Sequence, residues 1–346
     1  MSGLHAVALM GATGTGKSAL AQALAEDSGC MIICCDSMQV YRGLDIGTAK
    51  LTGVELAAAA HAMLNCCDLP DQYSAARWAR EARHCIRLQN EQGKTPLIVG
   101  GTGLYLRALL EGFADIPAEN STVRARFEAL QQEAGTAVLY QLLEHKDPPM
   151  AAMLKPGDSQ RIMRALCVNE STGIPLSAWQ QRPASVELVD CPIFVLDVAR
   201  EPLRQRIAER FHAMMAQGWL DETHWLASLS LPDMHTVVRA VGYRQLLNHI
   251  RGVCSLDEAV QQGITATRRY AKRQVTWFAH QTADATHADA AALAPLLKQA
   301  LDGRRRMAED RWQKTDGRRQ MAEDRWQKTD GRRQMTEDRW QKMEKG

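Results

Sequence analysis

Residues Gly11–Ser18 read GATGTGKS, after the apolar run His5–Met10 and before the helical pattern Ala19–Ala25. The octet fits the phosphate-binding pattern GxxxxGK[ST] in the strand, loop, helix context that the pattern requires. Glycines let backbone N–H groups close around phosphate oxygens, and the helix that follows points its positive end at them. Gly11, Ala12, Thr13, Gly14, Thr15 and Gly16 are therefore expected to cradle a diphosphate or a triphosphate, with Lys17 adding a point charge and Ser18 a hydroxyl for Mg²⁺. The octet alone does not say which anion it holds.

Outward from this loop, Met31–Cys35 (MIICC) reads as a buried strand that ends in Asp36-Ser37. Carboxyl ends of parallel strands line the ligand crevice of an open α/β sheet, so Asp36 is expected beside the phosphate loop. Met38–Lys50 (MQVYRGLDIGTAK) is too polar and Gly-broken for a core element and reads as a loop. Helices are expected over 54–64 and over 74–92, the second capped by Ser74. Pro96–Val99 is the next buried strand and runs into Gly100-Gly101-Thr102-Gly103 before a helix over Leu104–Leu110. This second Gly-rich strand end brings more backbone N–H groups and the Thr102 hydroxyl to the crevice. The fold class that follows is α/β, a P-loop NTPase-like core with a parallel sheet flanked by helices.

From Phe113 to about Asp190 the pattern changes to helices without strands, over Ser121–Glu133, Thr136–Glu144, Asp158–Ser171 and Pro175–Gln181, divided at Gly135, Pro148-Pro149, Pro156-Gly157 and Gly173. It reads as an all-helical insertion. Residues 1–112 and 191–302 then form the two parts of the core, and 303–346 a tail. Arg161 and Arg164 make one basic edge at i, i+3 on the insertion helix capped by Asp158. In the second part of the core, Cys191–Val198 is a strand, Glu201–Leu229 is helical, and Arg239–Arg244 (RAVGYR) sets two arginines around Gly242-Tyr243, suited to backbone phosphates and aromatic stacking. Ser255–Glu258 is a capping box that opens a helix to Gln281. On that helix Arg268/Lys272 and Arg269/Arg273 crowd like charges at i, i+4, which is unfavourable unless an anion is near. The sequence from Asp284 to Leu301 reads as at most one weak helix.

Across all 346 residues no run of eighteen apolar residues occurs, and neither a signal peptide nor a membrane span is expected. Nine cysteines without a CxxC pair suit buried, reduced thiols in a cytoplasm. The net charge of +2 is unevenly spread: from Gly303 onward there are 14 Lys/Arg and 9 Asp/Glu, so the tail carries +5 and the body −3. The tail is three near-identical copies of a 14-residue unit beginning GRRRMAEDRWQKTD, with too few apolar residues to stack as a solenoid, and is expected to be disordered.

Taken together and in order, GATGTGKS, DSMQVYRGLDIGTAK, VGGTGLYLRALLEG, QRIMRAL with TGIPLS, RAVGYRQ and AKRQVTWF resemble the tRNA dimethylallyltransferase, or tRNA isopentenyltransferase, family from about residue 4 to residue 281. The resemblance implies transfer of a dimethylallyl group from dimethylallyl diphosphate to the exocyclic amine of the adenine just 3′ of the anticodon. Such an amine is a poor nucleophile, and Asp36 is the carboxylate suited to accept its proton. Charge that grows on the diphosphate leaving group would be stabilised by the loop N–H groups, Lys17 and Mg²⁺ on Ser18. The resemblance also implies that Asp36, Ser37, Met38 and Gln39 face the anticodon stem-loop of the tRNA. So do Gln160, Arg161, Ile162, Met163 and Arg164, and Arg239, Ala240, Val241, Gly242, Tyr243 and Arg244. The last group is Lys272, Arg273, Gln274, Val275, Thr276, Trp277, Phe278 and Ala279. Thr102 and Arg124 are implied at the reacting centre or its tRNA contacts. Leu51 and Ala279 depart from residues usual in the family and are expected to lie away from the chemistry. The enzyme is expected to act as a monomer. Two other readings keep the phosphate loop with ATP bound: a small-molecule or nucleoside kinase with Asp36 as base, and an RNA-binding NTPase. If the tail has no catalytic part, deleting residues 303–346 leaves turnover nearly unchanged, and a large loss at physiological salt would refute this.

Overall fold

The computed structural model describes residues 3–114, 116, 120–182, 186–282 and 284–303, so the tail beyond 303 lies outside the described residues. The chain divides into two compact units, Arg107–Leu188 and the remainder. The first elements are β1 (Leu4–His5), β2 (Val7–Met10), α1 (Lys17–Ser28), β3 (Ile32–Cys35), α2 (Gly53–Ala58), β4 (His61–Ala62), α3 (Ala75–Glu91), β5 (Leu97–Gly100) and α4 (Gly103–Leu110). The helical unit holds α5 (Ser121–Lys146), α6 (Pro148–Met153), α7 (Ser159–Thr172) and α8 (Leu176–Gln180). After it come β6 (Val189–Asp190), β7 (Ile193–Leu196), α9 (Arg200–Ala216), α10 (Trp219–Ser228), α11 (Tyr243–Ile250), α12 (Leu256–Gln281), β8 (Thr286–Ala288) and a last helix, α13, over 290–303.

Six strands pair in parallel in the order β4-β3-β5-β2-β7-β8, and β1 pairs with β6 in a separate parallel ribbon. The run that reads as one strand, His5–Met10, is thus divided between two sheets. All four residues of β2, β3 and β5 are buried, as continuous apolar runs covered on both faces must be. On one side Ala21, Leu24 and Ala25 of α1 pack with Val7, Leu9, Leu97 and Val99, and Leu293, Leu297 and Leu301 of α13 join the same core. In the helical unit Phe127, Leu139 and Leu143 of α5 pack on Ile162, Leu166 and Met163 of α7.

Capping chemistry places several boundaries where the sequence puts them. Ser74 accepts from the Arg77 N–H, Asp158 from the Arg161 N–H, and Ser255 and Glu258 form the reciprocal capping box of α12. Gly135 breaks α5 with φ 79°, as its position as a divider suggests.

Tertiary contacts overrule the sequence elsewhere. The helix expected over 54–64 stops at Ala58, because the next residues pair with the edge of β3, where the Ile32 N–H donates to Ala60 O at 2.8 Å. The helix expected over Glu201–Leu229 breaks between α9 and α10 at Gly218, whose φ of 97° is left-handed. Pro148-Pro149 divides helices as expected, but by starting a further short helix, α6, directly after α5 with Asp147 as N-cap. The weak helix expected over Asp284–Leu301 is instead the edge strand β8 followed by α13, whose leucines are core. Leu297 is fully buried. Leu297→Ala is expected to cost about 2–5 kcal/mol in urea denaturation; a change below about 0.5 kcal/mol would show that α13 does not close the core.

Candidate functional site

The order β3-β5-β2 sets three carboxyl ends side by side, and each leads into one of the segments singled out in the sequence. β2 leads into Gly11–Ser18, β5 into Gly100–Gly103 and β3 into Asp36. These segments line one cleft of about 250 Å³. Gly14 and Gly16 take φ of 83° and 96°, which lets the loop turn its amides inward. Gly16 is the N-cap of α1 and makes no side-chain cap, so the first N–H groups of the helix are left for an anion. The Lys17 Nζ donates to Ala12 O at 2.7 Å and lies in the cleft with Ser18, whose residue is exposed at the first turn. Burial pulls the Lys17 ammonium down to about 8, with Asp36 opposing the shift and Arg210 adding to it.

Asp36 lines the same cleft. Its Oδ1 accepts from the Met38 N–H at 2.8 Å and the Gln39 N–H at 3.4 Å, which orients the carboxylate and leaves Oδ2 for other work. The Thr102 hydroxyl accepts from the Ser37 N–H at 3.1 Å and also meets the Tyr270 phenol. Burial, then the charge on Asp36, pushes that phenol up, so it stays protonated. Gln39 turns back into its loop: its Nε2 donates to Thr48 O at 2.9 Å and its Oε1 accepts from the Cys34 thiol at 3.1 Å.

One side chain ties the two Gly-rich loops together. The Gln274 Oε1 accepts from the Thr13 N–H at 2.9 Å, and its Nε2 donates to Gly101 O at 2.8 Å. A Cβ on Gly101 would overlap that amide, which accounts for glycine there. Gln274 was expected to face tRNA; at 7% exposure it is a brace between loops. Four more of the residues expected on the tRNA side are enclosed as side chains. Ile162 and Met163 belong to the core of the helical unit, Phe278 packs inside beneath α12, and Tyr243 is 1% exposed. Tyr243 is therefore no stacking platform: its O–H donates to Glu222 Oε1 at 2.5 Å. Periodicity cannot separate such residues from their exposed neighbours when only one or two faces of a short helix are buried.

Arg239, Arg244, Lys272, Arg273, Val275, Thr276 and Ala279 are exposed, as are Gln160 and Arg161 in the helical unit, while Ala240 and Val241 are half-buried beside the enclosed Gly242, and Trp277 is half-buried against Gly103. Within that unit Arg161 pairs with Asp158 at 3.4 Å, Arg124 pairs with Glu128 at 2.9 Å, and Arg164 is half-buried. The like-charge crowding on α12 is eased because Arg268 turns away to donate to Arg204 O, and Arg273 sits over the Tyr270 ring at 5.7 Å.

Several cleft residues carry no signal singled out in the sequence, among them His61, Leu64, Arg210 and Tyr270. Arg210 of α9 and Tyr270 of α12 face the phosphate loop, and Leu51, expected to lie away from the chemistry, is part of the wall. Arg210 follows Ile207 and Leu203, which pack against Ala12, so helical spacing from a core residue was its one signal. The Met38–Lys50 loop is also more buried than its composition suggests. Val40, Tyr41 and Leu44 are fully buried, and Lys50 donates to Tyr41 O, to Asp45 at 2.7 Å and to Asn65 at 2.6 Å.

A central parallel strand, a GxxxxGKS loop and an acidic strand end in one cleft define a P-loop-like α/β protein. Residues 39–281 match the family model described as IPP transferase. The chain is 43% identical over 279 residues to the tRNA dimethylallyltransferase of Halorhodospira halophila, covering 79% of this chain and 89% of that one. It resembles the crystal structure of the full-length tRNA isopentenylpyrophosphate transferase from Bacillus halodurans with a TM-score of 0.63 and 31% identity, over 89% of this chain and 99% of that chain. A eukaryotic dimethylallyltransferase solved in the course of acting on tRNA matches with a TM-score of 0.69 and 27% identity, over 83% and 74% of the two chains. The chain belongs to the IPP transferase family.

Diphosphate favours charged Lys17, so the Lys17 contribution to affinity for inorganic diphosphate is expected to be lost as pH rises through about 8, on top of the change set by the ligand's own ionisation, which Lys17→Arg shares. Titration calorimetry from pH 6.5 to 9.5 checks this, and Lys17→Arg should remove the inflection near 8.

Proposed function

We propose that the chain transfers a dimethylallyl group from dimethylallyl diphosphate to the exocyclic amine of the adenine 3′-adjacent to the anticodon in tRNA, releasing diphosphate. What carries the reading is that a phosphate loop and a carboxylate share one cleft in a chain of this family. The N–H groups of Gly11–Ser18 and the Lys17 ammonium bind the diphosphate, and Arg210 adds a second cation. As the new N–C bond forms, the allylic C–O bond breaks and its electron pair leaves with the diphosphate. The amine proton passes to Oδ2 of Asp36, whose Oδ1 is held by backbone amides. The Thr102 hydroxyl and the Tyr270 phenol sit beside that carboxylate and orient the incoming amine. Ala21, Ile32, Leu51, Leu64 and Val99 give part of the cleft an apolar lining suited to a prenyl group.

The donor set also suits Mg²⁺. Among the described residues no group of three or more His, Cys, Asp or Glu forms a protein cage. Ser18 and Asp36 share the cleft, and Mg²⁺ commonly takes one or two protein oxygens and completes its shell with phosphates and water. Ser18 would hold the ion against the diphosphate, where it supplies countercharge to the leaving group.

The RNA side of the reading rests on Arg239, Arg244, Lys272 and Arg273, all exposed; Lys272 and Arg273 share α12 with Gln274, Arg244 shares α11 with Tyr243, and Arg239 lies in the turns before α11. An anticodon-loop adenine would be splayed out of its stack to reach Asp36. Among the described residues no helix is long and apolar enough to cross a membrane. We place the protein in the cytoplasm, acting as a monomer.

Mass spectrometry of nucleosides from unmodified tRNA incubated with the protein, Mg²⁺ and either dimethylallyl diphosphate or ATP tests the reaction. A prenyl-sized mass gain on adenosine is expected with the allylic donor alone. ATP consumption without that gain would replace the reading with a kinase or NTPase. Asp36→Asn is expected to lower turnover by about 10²–10⁴-fold with donor affinity retained; turnover within threefold of wild type would remove Asp36 as the base.

A further inference from the structure

Glu222, on the first turn of α10, carries no motif and lies outside the cleft lining. Its carboxylate is nonetheless filled on both oxygens. Oε2 accepts from the N–H groups of Asp45 and Ile46, both at 2.7 Å, and Oε1 accepts from the Gly47 N–H at 2.9 Å and the Tyr243 O–H at 2.5 Å. Three consecutive amides converging on one carboxylate form an anion nest whose anion is supplied by the protein. The loop approaches so closely that a Cβ on Gly47 would overlap both the Trp219 indole and the Tyr243 ring.

What Glu222 holds is one wall of the cleft. Directly after Gly47 come Thr48 and Ala49, which line it, and Thr48 O accepts from Gln39 Nε2 at 2.9 Å. Gln39 in turn gives its N–H to Asp36 Oδ1, at 3.4 Å beside the shorter bond from Met38. A continuous chain of hydrogen bonds and peptide links therefore runs from Glu222 to the carboxylate. The phosphate loop hangs on other contacts, those of Lys17 with Ala12 O and of Thr13 with Gln274.

We infer that Glu222 is a positioning residue for the transfer reaction: it sets the 45–49 loop, and through Gln39 the orientation of Asp36, without taking part in diphosphate binding. The inference rests on the proposed transfer reaction. It separates two quantities that a general loss of structure would lower together, turnover and diphosphate affinity.

The test is Glu222→Gln in the full chain. The carboxamide keeps the shape but turns one acceptor oxygen into a donor facing N–H or O–H groups. The expected result is a fall in kcat of at least about tenfold, with the Kd for inorganic diphosphate in Mg²⁺ within twofold of wild type. Tyr243→Phe removes one of the four donors, and its kcat is expected to fall by about two- to tenfold with the same unchanged affinity. If Glu222→Gln does not fold, the Tyr243→Phe result decides alone. Unchanged kcat in the folded variant, or diphosphate affinity falling in parallel with kcat, overturns the inference. A wild-type chain that binds diphosphate but transfers nothing to tRNA would instead remove the proposed reaction, and the inference with it.

Discussion

The parallel pairing of β3, β5 and β2 is the constraint on which the cleft depends. A parallel strand delivers its next residues at the same edge as its neighbours, so three adjacent strands put three loops together. In this chain those loops are the phosphate loop, the GGTG turn and the Asp36 turn. Close approach then dictates residue types: a Cβ on Gly100 would overlap the carbonyl of Cys35 on the neighbouring strand, and one on Gly103 would overlap the Trp277 ring. Glycines that look in the sequence like phosphate ligands therefore also serve the packing of strands and of α12.

Around these strand ends the later part of the chain acts as a brace. α12 supplies the Gln274 amide between the two Gly-rich loops and the Tyr270 phenol beside Thr102. α9 supplies Arg210, α10 supplies the Glu222 carboxylate that accepts from the 45–47 amides, and α11 supplies the Tyr243 O–H that donates to that carboxylate. Polar groups this enclosed are costly unless each finds its partner, and here each partner comes from a different element. The site is thus assembled from residues between Gly11 and Gln274, and chemistry that starts in one loop is kept in place by helices far along the chain.

The electrostatics of the cleft suit an anionic substrate. Lys17 is partly desolvated, which lowers its hold on its proton and strengthens its attraction to a phosphate that replaces the lost water. Asp36 supplies the opposing charge across the same space, so a cation and a carboxylate are present together, as the proposed transfer requires. Cationic side chains outside the cleft, Lys272 and Arg273 on α12 and Arg239 and Arg244 near α11, remain in solvent, where long-range attraction to a polyanion is useful and costs no desolvation.

How much of this was legible in the chain follows from the range of each interaction. Local signals were readable: the GATGTGKS octet, the apolar runs of β2, β3 and β5, the caps Ser74, Asp158 and Ser255, and the break at Gly135 depend on residues within a turn of one another. Parallel order at the strand ends was enough to bring Asp36 to the crevice, with Thr102 behind it on the Ser37 N–H. Pairing across the chain was not readable. β4 exists because the edge of β3 offers unpaired amides, and α13 is core because its leucines meet α1 and the sheet. Gln274, Phe278 and Tyr243 lie in segments whose motif marked them as functional, but which side of the helix faces inward is decided by what packs there. The sequence by itself determined the phosphate loop, the family and the order of the motifs, since those reside in contiguous residues. Only the tertiary structure decided that Gln274 ties the loops, that Arg210 joins the cleft and that Glu222 holds its wall, because each acts on residues more than a hundred positions away.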